Sequence, residues 1–104
     1  MTREEIIALV EERIQTVYDP EFPIVDIFTL GLIYDINPDL VAKKISILMT
    51  FTTPNCPAGD LLQELTIQAI NEYLPDYTVE ITITFEPMWN LDKIKDPDLK
   101  RMFE

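Results

Sequence analysis

Residues 43–86 read "KKISILMTFTTPNCPAGDLLQELTIQAINEYLPDYTVEITITFE", and this stretch decides the fold. From Ile45 the side chains alternate: Ile45, Ile47, Met49 and Phe51 point one way, and Ser46, Leu48, Thr50 and Thr52 the other. Period two marks a strand with one apolar face. Pro57 then stands where a helix best tolerates proline, in its first turn. Leu61, Leu62, Leu65, Ala69, Ile70 and Tyr73 recur at helical spacing as a buried stripe, with Leu74 near its end and Pro75-Asp76 as the stop. Alternation resumes at Thr78, with Val79, Ile81, Ile83 and Phe85 inward and Glu80, Thr82, Thr84 and Glu86 outward. Strand, helix and strand in that order predict a parallel, right-handed crossover.

Upstream, Thr2 and Glu5 have the spacing of a capping box. Ile6, Leu9, Val10, Ile14 and Val17 follow at helical spacing, and Pro20 stops the helix near Tyr18. "DPEFPIVDIFTLGLIYDINPD" (19–39) begins as an irregular extended loop. Its later part, Leu32–Ile36, suits a short strand, and Asn37-Pro38-Asp39 reads as a turn. Gly31, one of only two glycines, fits a backbone geometry that other residues resist. Downstream, Asp96-Pro97 caps a short last helix. The prediction is a single domain over residues 1–104 of class α+β. It is a two-layer sandwich in the order α-β-β-α-β-α, with a small mixed three-stranded sheet and helices on one face. The polar outer face is left to water or to a partner.

The chain has 104 residues, 47% of them hydrophobic, which suffices for one core without disulfides. Eight basic against 19 acidic residues give a net charge of −11, which repels nucleic acids and anionic membrane surfaces. No signal peptide and no apolar run of membrane-spanning length stands in the sequence, so the expected location is the cytoplasm. There is no histidine, which removes Ser-His and Cys-His catalysis and every imidazole metal site.

The single cysteine, Cys56, falls between two prolines where the strand hands over to the helix. A thiolate at a helix start is stabilised by the dipole and by unpaired N–H groups. Thr52, Thr53 and Asn55 offer hydrogen bonds beside it, Ala58 and Gly59 leave room, and Asp60 competes for the dipole. The alternative is a small apolar filler that packs at the helix start. Asp19, Glu21 and Asp26 form an acidic loop that either meets a hard cation or a partner, or caps turns. Trp89, after Pro87, reads as an anchor over the sheet end.

Three stretches, "DPEFPIVDIFTLGLIYDI", "ILMTFTTPNCP" and "TFEPMWNLDKI", together resemble the SufT/PaaD-like family, in the same order and over nearly the whole chain. The resemblance implies an iron–sulfur-cluster-assembly-like α/β fold and an auxiliary, non-enzymatic role, as carrier or adaptor, in maturing iron–sulfur proteins. By motif match, Asp19, Pro20 and Glu21 fall on the family's acidic loop, and Asp26, Gly31, Leu32 and Tyr34 on its second motif. Thr50, Thr52, Cys56 and Pro57 fall on its cysteine motif, and Trp89 on its C-terminal aromatic. Met88 stands where the family often has a second proline. The additional C-terminal cysteines of longer PaaD-type proteins are missing, which points away from a zinc-bearing oxygenase subunit and towards the short SufT-like branch.

The resemblance makes Cys56 the metal-ligating thiol. Asp19, Glu21, Asp26, Thr50, Thr52, Thr53, Asn55, Pro57 and Trp89 are expected to line its site or meet a partner. An iron–sulfur cluster usually takes four ligands, and one chain offers one thiolate and no imidazole. The cluster is therefore expected to be transient, shared with a second protomer in a homodimer or with a client. The partners implied are iron–sulfur assembly proteins and apo-client proteins. Two other classes remain: a thiol enzyme using Cys56 as nucleophile, and a scaffold whose cysteine is structural.

Overall fold

The computed structural model describes residues 1–20, 22–54 and 57–102. Helix α1 (Arg3–Ile14) opens on the expected capping box. The Thr2 hydroxyl accepts the Glu5 N–H at 3.2 Å, and the Glu5 carboxylate accepts the Thr2 N–H at 2.9 Å. The hydrogen bond from the Thr2 backbone is the main reason the Glu5 carboxyl is held below its ordinary value. Ile6, Val10 and Ile14 make the buried stripe of this helix.

Strands β3 (Ile33–Asp39), β4 (Lys44–Met49) and β5 (Thr78–Ile83) form one mixed sheet in the order β3-β4-β5. β3 pairs with β4 antiparallel, and β4 with β5 parallel. The connection between the parallel pair carries α3 (Gly59–Asn71). Ile45, Ile47 and Met49 of the central strand are fully buried, or within 1% of it, in one core with Ile6, Val10, Ile14, Leu62 and Ile70. Helices α1 and α3 also pack on each other. The Arg13 guanidinium fastens them, donating to Ala69 O at 2.9 Å and to Glu72 at 2.8 Å while lying 4.1 Å from the centre of the Tyr73 ring.

The α+β class, the mixed three-stranded sheet and the short last helix, α4 (Pro97–Met102), are as expected. Several boundaries are not. Residues 18–30 are not an irregular loop. β1 (Tyr18–Asp19) and β2 (Phe22–Asp26) form a second, two-stranded antiparallel sheet, and α2 (Ile27–Leu30) is a single helical turn. The Ile27 N–H bonds back to Val17 O at 2.9 Å, which closes this ribbon onto the end of α1.

β3 does not stop at Ile36 but runs to Asp39, with Pro38 opposite Ile45. Proline is tolerated there because β3 is an edge strand. The reversal comes later, where the Asp39 carboxylate accepts the N–H groups of Val41 and Ala42, each at 3.0 Å, and Lys43 takes a left-handed φ of 57°.

α3 begins at Gly59 and not at Pro57, because its first backbone bond runs from Leu62 N–H to Ala58 O. It ends at Asn71, before Pro75. Two residues of its expected stripe are on the surface: Leu61 is 50% exposed and Tyr73, under Arg13, is 56% exposed. β5 ends at Ile83, and Phe85 instead meets Phe51 with ring centres 6.3 Å apart.

Candidate functional site

The chain leaves β4 through Thr50, Phe51 and Thr52 and enters α3 through Pro57 and Ala58. Thr50, expected on the polar face, is fully buried. Its N–H donates to Leu32 O at 2.8 Å, which extends the ladder between β3 and β4 by one bond. Phe51 is also buried, and its ring lies where a Cβ on Gly59 would stand, 2.9 Å from that position. This contact explains a glycine in the first turn of α3, where any side chain displaces the ring. Ala58, the N-cap, makes no side-chain cap to the helix.

Asp19 is fully buried on β1, an uncommon place for a carboxylate. Asp26 is half-buried and caps α2, accepting the Thr29 N–H and hydroxyl, each at 2.9 Å. Thr52 is half-buried, while Thr53 and Pro57 are exposed. Glu21, Asn55 and Cys56, all expected at the site, lie outside the described residues. Among the described residues, no three Cys, Asp or Glu side chains converge into a metal-binding group.

Trp89 is a packing anchor. Its indole N–H donates to Leu30 O at 2.7 Å, and its ring packs against the core. It belongs to a segment, residues 86–95, that runs over the turn at residues 29–34. The Tyr34 hydroxyl donates to Pro87 O at 2.7 Å, and the Lys95 N–H donates to Thr29 O at 2.8 Å. Gly31 adopts φ 88°, and a Cβ there would stand 2.1 Å from Lys93 O. The glycine is thus required twice, by its backbone conformation and by the strap lying on it. Asp26, Gly31, Thr50 and Trp89, drawn from three separate stretches of the sequence, all act on this one turn.

A cleft of about 470 Å³ opens between turn and strap, walled by Ile33, Tyr34, Leu48 and Pro87. Burial pushes the Tyr34 phenol above its ordinary value, against a hydrogen bond from the Thr50 side chain that pulls it down. Lys93 and Lys95 also line the cleft. In the sequence, "TFEPMWNLDKI" belongs to the family motif and Asp96-Pro97 caps the last helix, and neither reading singles out the lysines. The signal for these lysines lies in their spacing from Trp89, which fixes where the strap lands.

The chain and its fold have parallels among known proteins. The chain is 40% identical over 91% of its length, and 85% of the other, to a Porphyromonas gingivalis protein called an Fe-S protein maturation auxiliary factor. It is 32% identical to the Bacillus subtilis Fe-S protein maturation auxiliary factor YitW, over 78% of each chain. Its fold matches a conserved hypothetical protein of Thermotoga maritima with a TM-score of 0.79 and 32% identity, covering 99% of this chain and 94% of that one. The family model for iron–sulfur cluster assembly proteins matches residues 7–83, the span from α1 through the last strand of the sheet. Fold, motif order and sequence agree: the chain belongs to the iron–sulfur cluster assembly protein family.

Proposed function

We propose that this chain is an auxiliary factor in the maturation of iron–sulfur proteins, a carrier or adaptor and not an enzyme, working through the thiol of Cys56. The observation that supports this reading is its 40% identity, over 91% of its length, to a protein called an Fe-S protein maturation auxiliary factor. The chemistry agrees. A cluster usually asks for four ligands, and with one cysteine and no histidine a single chain supplies too few to keep one. The cluster is cargo, held briefly between Cys56 and ligands from a second protomer or a client. Release is then easier than from a site with a full ligand set. No histidine is present to act as general base beside the thiol, which counts against turnover chemistry there. The partners are assembly proteins and apo-clients, met in a reducing cytoplasm where the thiol stays free. Asp19, Glu21, Asp26, Thr52, Thr53, Asn55 and Pro57 flank that exchange.

The test is made in cells that lack the chain. An iron–sulfur dehydratase is assayed for activity and polypeptide level, with and without the chain restored. The expected result is lowered activity at constant polypeptide, recovered by the wild-type chain. Full activity in its absence, under iron limitation and oxidative stress, would overturn the reading.

A further inference from the structure

The cleft at Tyr34 stands out in an acidic protein because, among the described residues, its two lysines are not spent on carboxylates. Arg13 pairs with Glu72, Lys44 with Glu80 and Lys100 with Asp92, at 2.8, 2.9 and 3.0 Å. Lys93 and Lys95 make no ion pair among the described residues. Their ammonium groups sit instead over aromatic rings, 5.3 Å from the centre of Tyr34 and 5.1 Å from that of Phe28. A ring face holds a cation in place while leaving its N–H donors open.

The frame around them is fixed. Tyr34 is the extra residue of a β-bulge, since Ile33 faces Met49 and Asp35 already faces Leu48. A bulge re-aims the side chain it carries. The strap bearing both lysines is held by the Tyr34–Pro87, Trp89–Leu30 and Lys95–Thr29 hydrogen bonds. Little ordering is left to be done on binding.

From this we infer that the Tyr34 cleft is a docking site for a carboxylate side chain on an extended, partly apolar segment of a partner protein. It rests on the maturation reading only in taking the occupant to be a protein. At the strap end of the cleft Lys93 and Lys95 stand against Glu86, the one acid among the described residues that wall it, which leaves a single local positive charge and suits a carboxylate better than a phosphate dianion. The net charge of −11 opposes polyanions at longer range. Past Ile33, Tyr34 and Lys95 the cleft continues into a groove of about 390 Å³ whose wall carries Ile7, Phe28 and Ile36 together with Arg3, Glu11 and Asp35, so the net positive charge is confined to the Lys93–Lys95 end. That length accepts apolar neighbours of the carboxylate, which a free anion lacks.

The experiment is an amide-resonance titration of the full-length chain at low salt with the capped peptide acetyl-Val-Glu-Phe-Val-amide. Its glutamine counterpart and inorganic phosphate are run in parallel. The acidic peptide is expected to move the signals of Gly31, Tyr34, Glu86, Lys93 and Lys95. The glutamine peptide should bind about tenfold more weakly, and a Lys93→Gln, Lys95→Gln double variant should lose about tenfold for the acidic one. The spectrum itself reports that the variant is folded. Equal binding of both peptides, no shift at these residues or an undiminished double variant would overturn the assignment. So would phosphate acting as strongly as the acidic peptide. The readout involves no cluster delivery, so its failure leaves the maturation reading standing.

Discussion

The layer built from α1, β4, α3 and β5 and the junction between residues 26–34 and 86–95 are stabilised differently. In the layer, each element carries its own instruction: a repeat of two or of about 3.6 residues that puts apolar side chains on one face. Ile45, Ile47 and Met49 meet Val79, Ile81 and Ile83 in register because both strands keep that period. At the junction no period runs long enough to instruct anything. Its geometry rests on contacts between residues about sixty positions apart, such as Trp89 with Leu30 and Gly31 with Lys93. The layer tolerates volume changes that its packing can absorb. The junction fails when one backbone contact is blocked.

Substitutions that strike one region and spare the other sharpen this contrast. Gly31→Ala places a methyl group 2.1 Å from a backbone oxygen at a positive φ. It is expected to cost about 4 kcal/mol or more in chemical denaturation. Gly59→Ala meets only the far edge of the Phe51 ring, and the gain in helix propensity offsets much of the displacement, for a loss of about 1 kcal/mol. Equal losses at the two glycines would break the contrast. Ile47→Ala, in the middle of the layer, should cost about 3 kcal/mol by the same measurement.

Trp89→Phe keeps an aromatic ring but leaves Leu30 O without its indole donor, and should cost about 1.5 kcal/mol. Hydrogen exchange should show the loss as opening of residues 29–34 and not of β4. The smallest effect is expected at Tyr34. Burial favours its neutral phenol, so the folded protein titrates this group above the unfolded value of about 10. The stability from that shift is complete below the unfolded value and is lost as pH rises through the folded one. Tyr34→Phe should therefore flatten the alkaline end of the stability–pH curve, and an unchanged slope would show that the phenol does not contribute.

What could be read in advance follows the same division. The strands around Ile45–Phe51 and Val79–Ile83, and the helix beginning at the Thr2 capping box, follow from local pattern. The ribbon at residues 18–26 does not, because two prolines and a two-residue strand leave no period to detect. Thr50 reads as outward by alternation but is buried at the end of β4, where its N–H meets Leu32 O and its side chain meets Tyr34. Leu61 and Tyr73 match the helical stripe but lie on its margin, where Arg13 covers Tyr73. For the site, the motifs around Asp26, Gly31, Thr50 and Trp89 could be identified in the sequence, but their meeting on one turn could not. The lysines of the cleft had no sequence signal beyond the strap that carries them.

The most direct measurement concerns the thiol. Cys56→Ser is introduced in place of the wild-type chain, its fold is checked by circular dichroism and amide spectra, and the activity of an iron–sulfur enzyme is assayed at constant polypeptide level. A folded variant that leaves the enzyme as inactive as in cells without the chain is the expected result. Full activation by the serine variant would contradict a role for this sulfur.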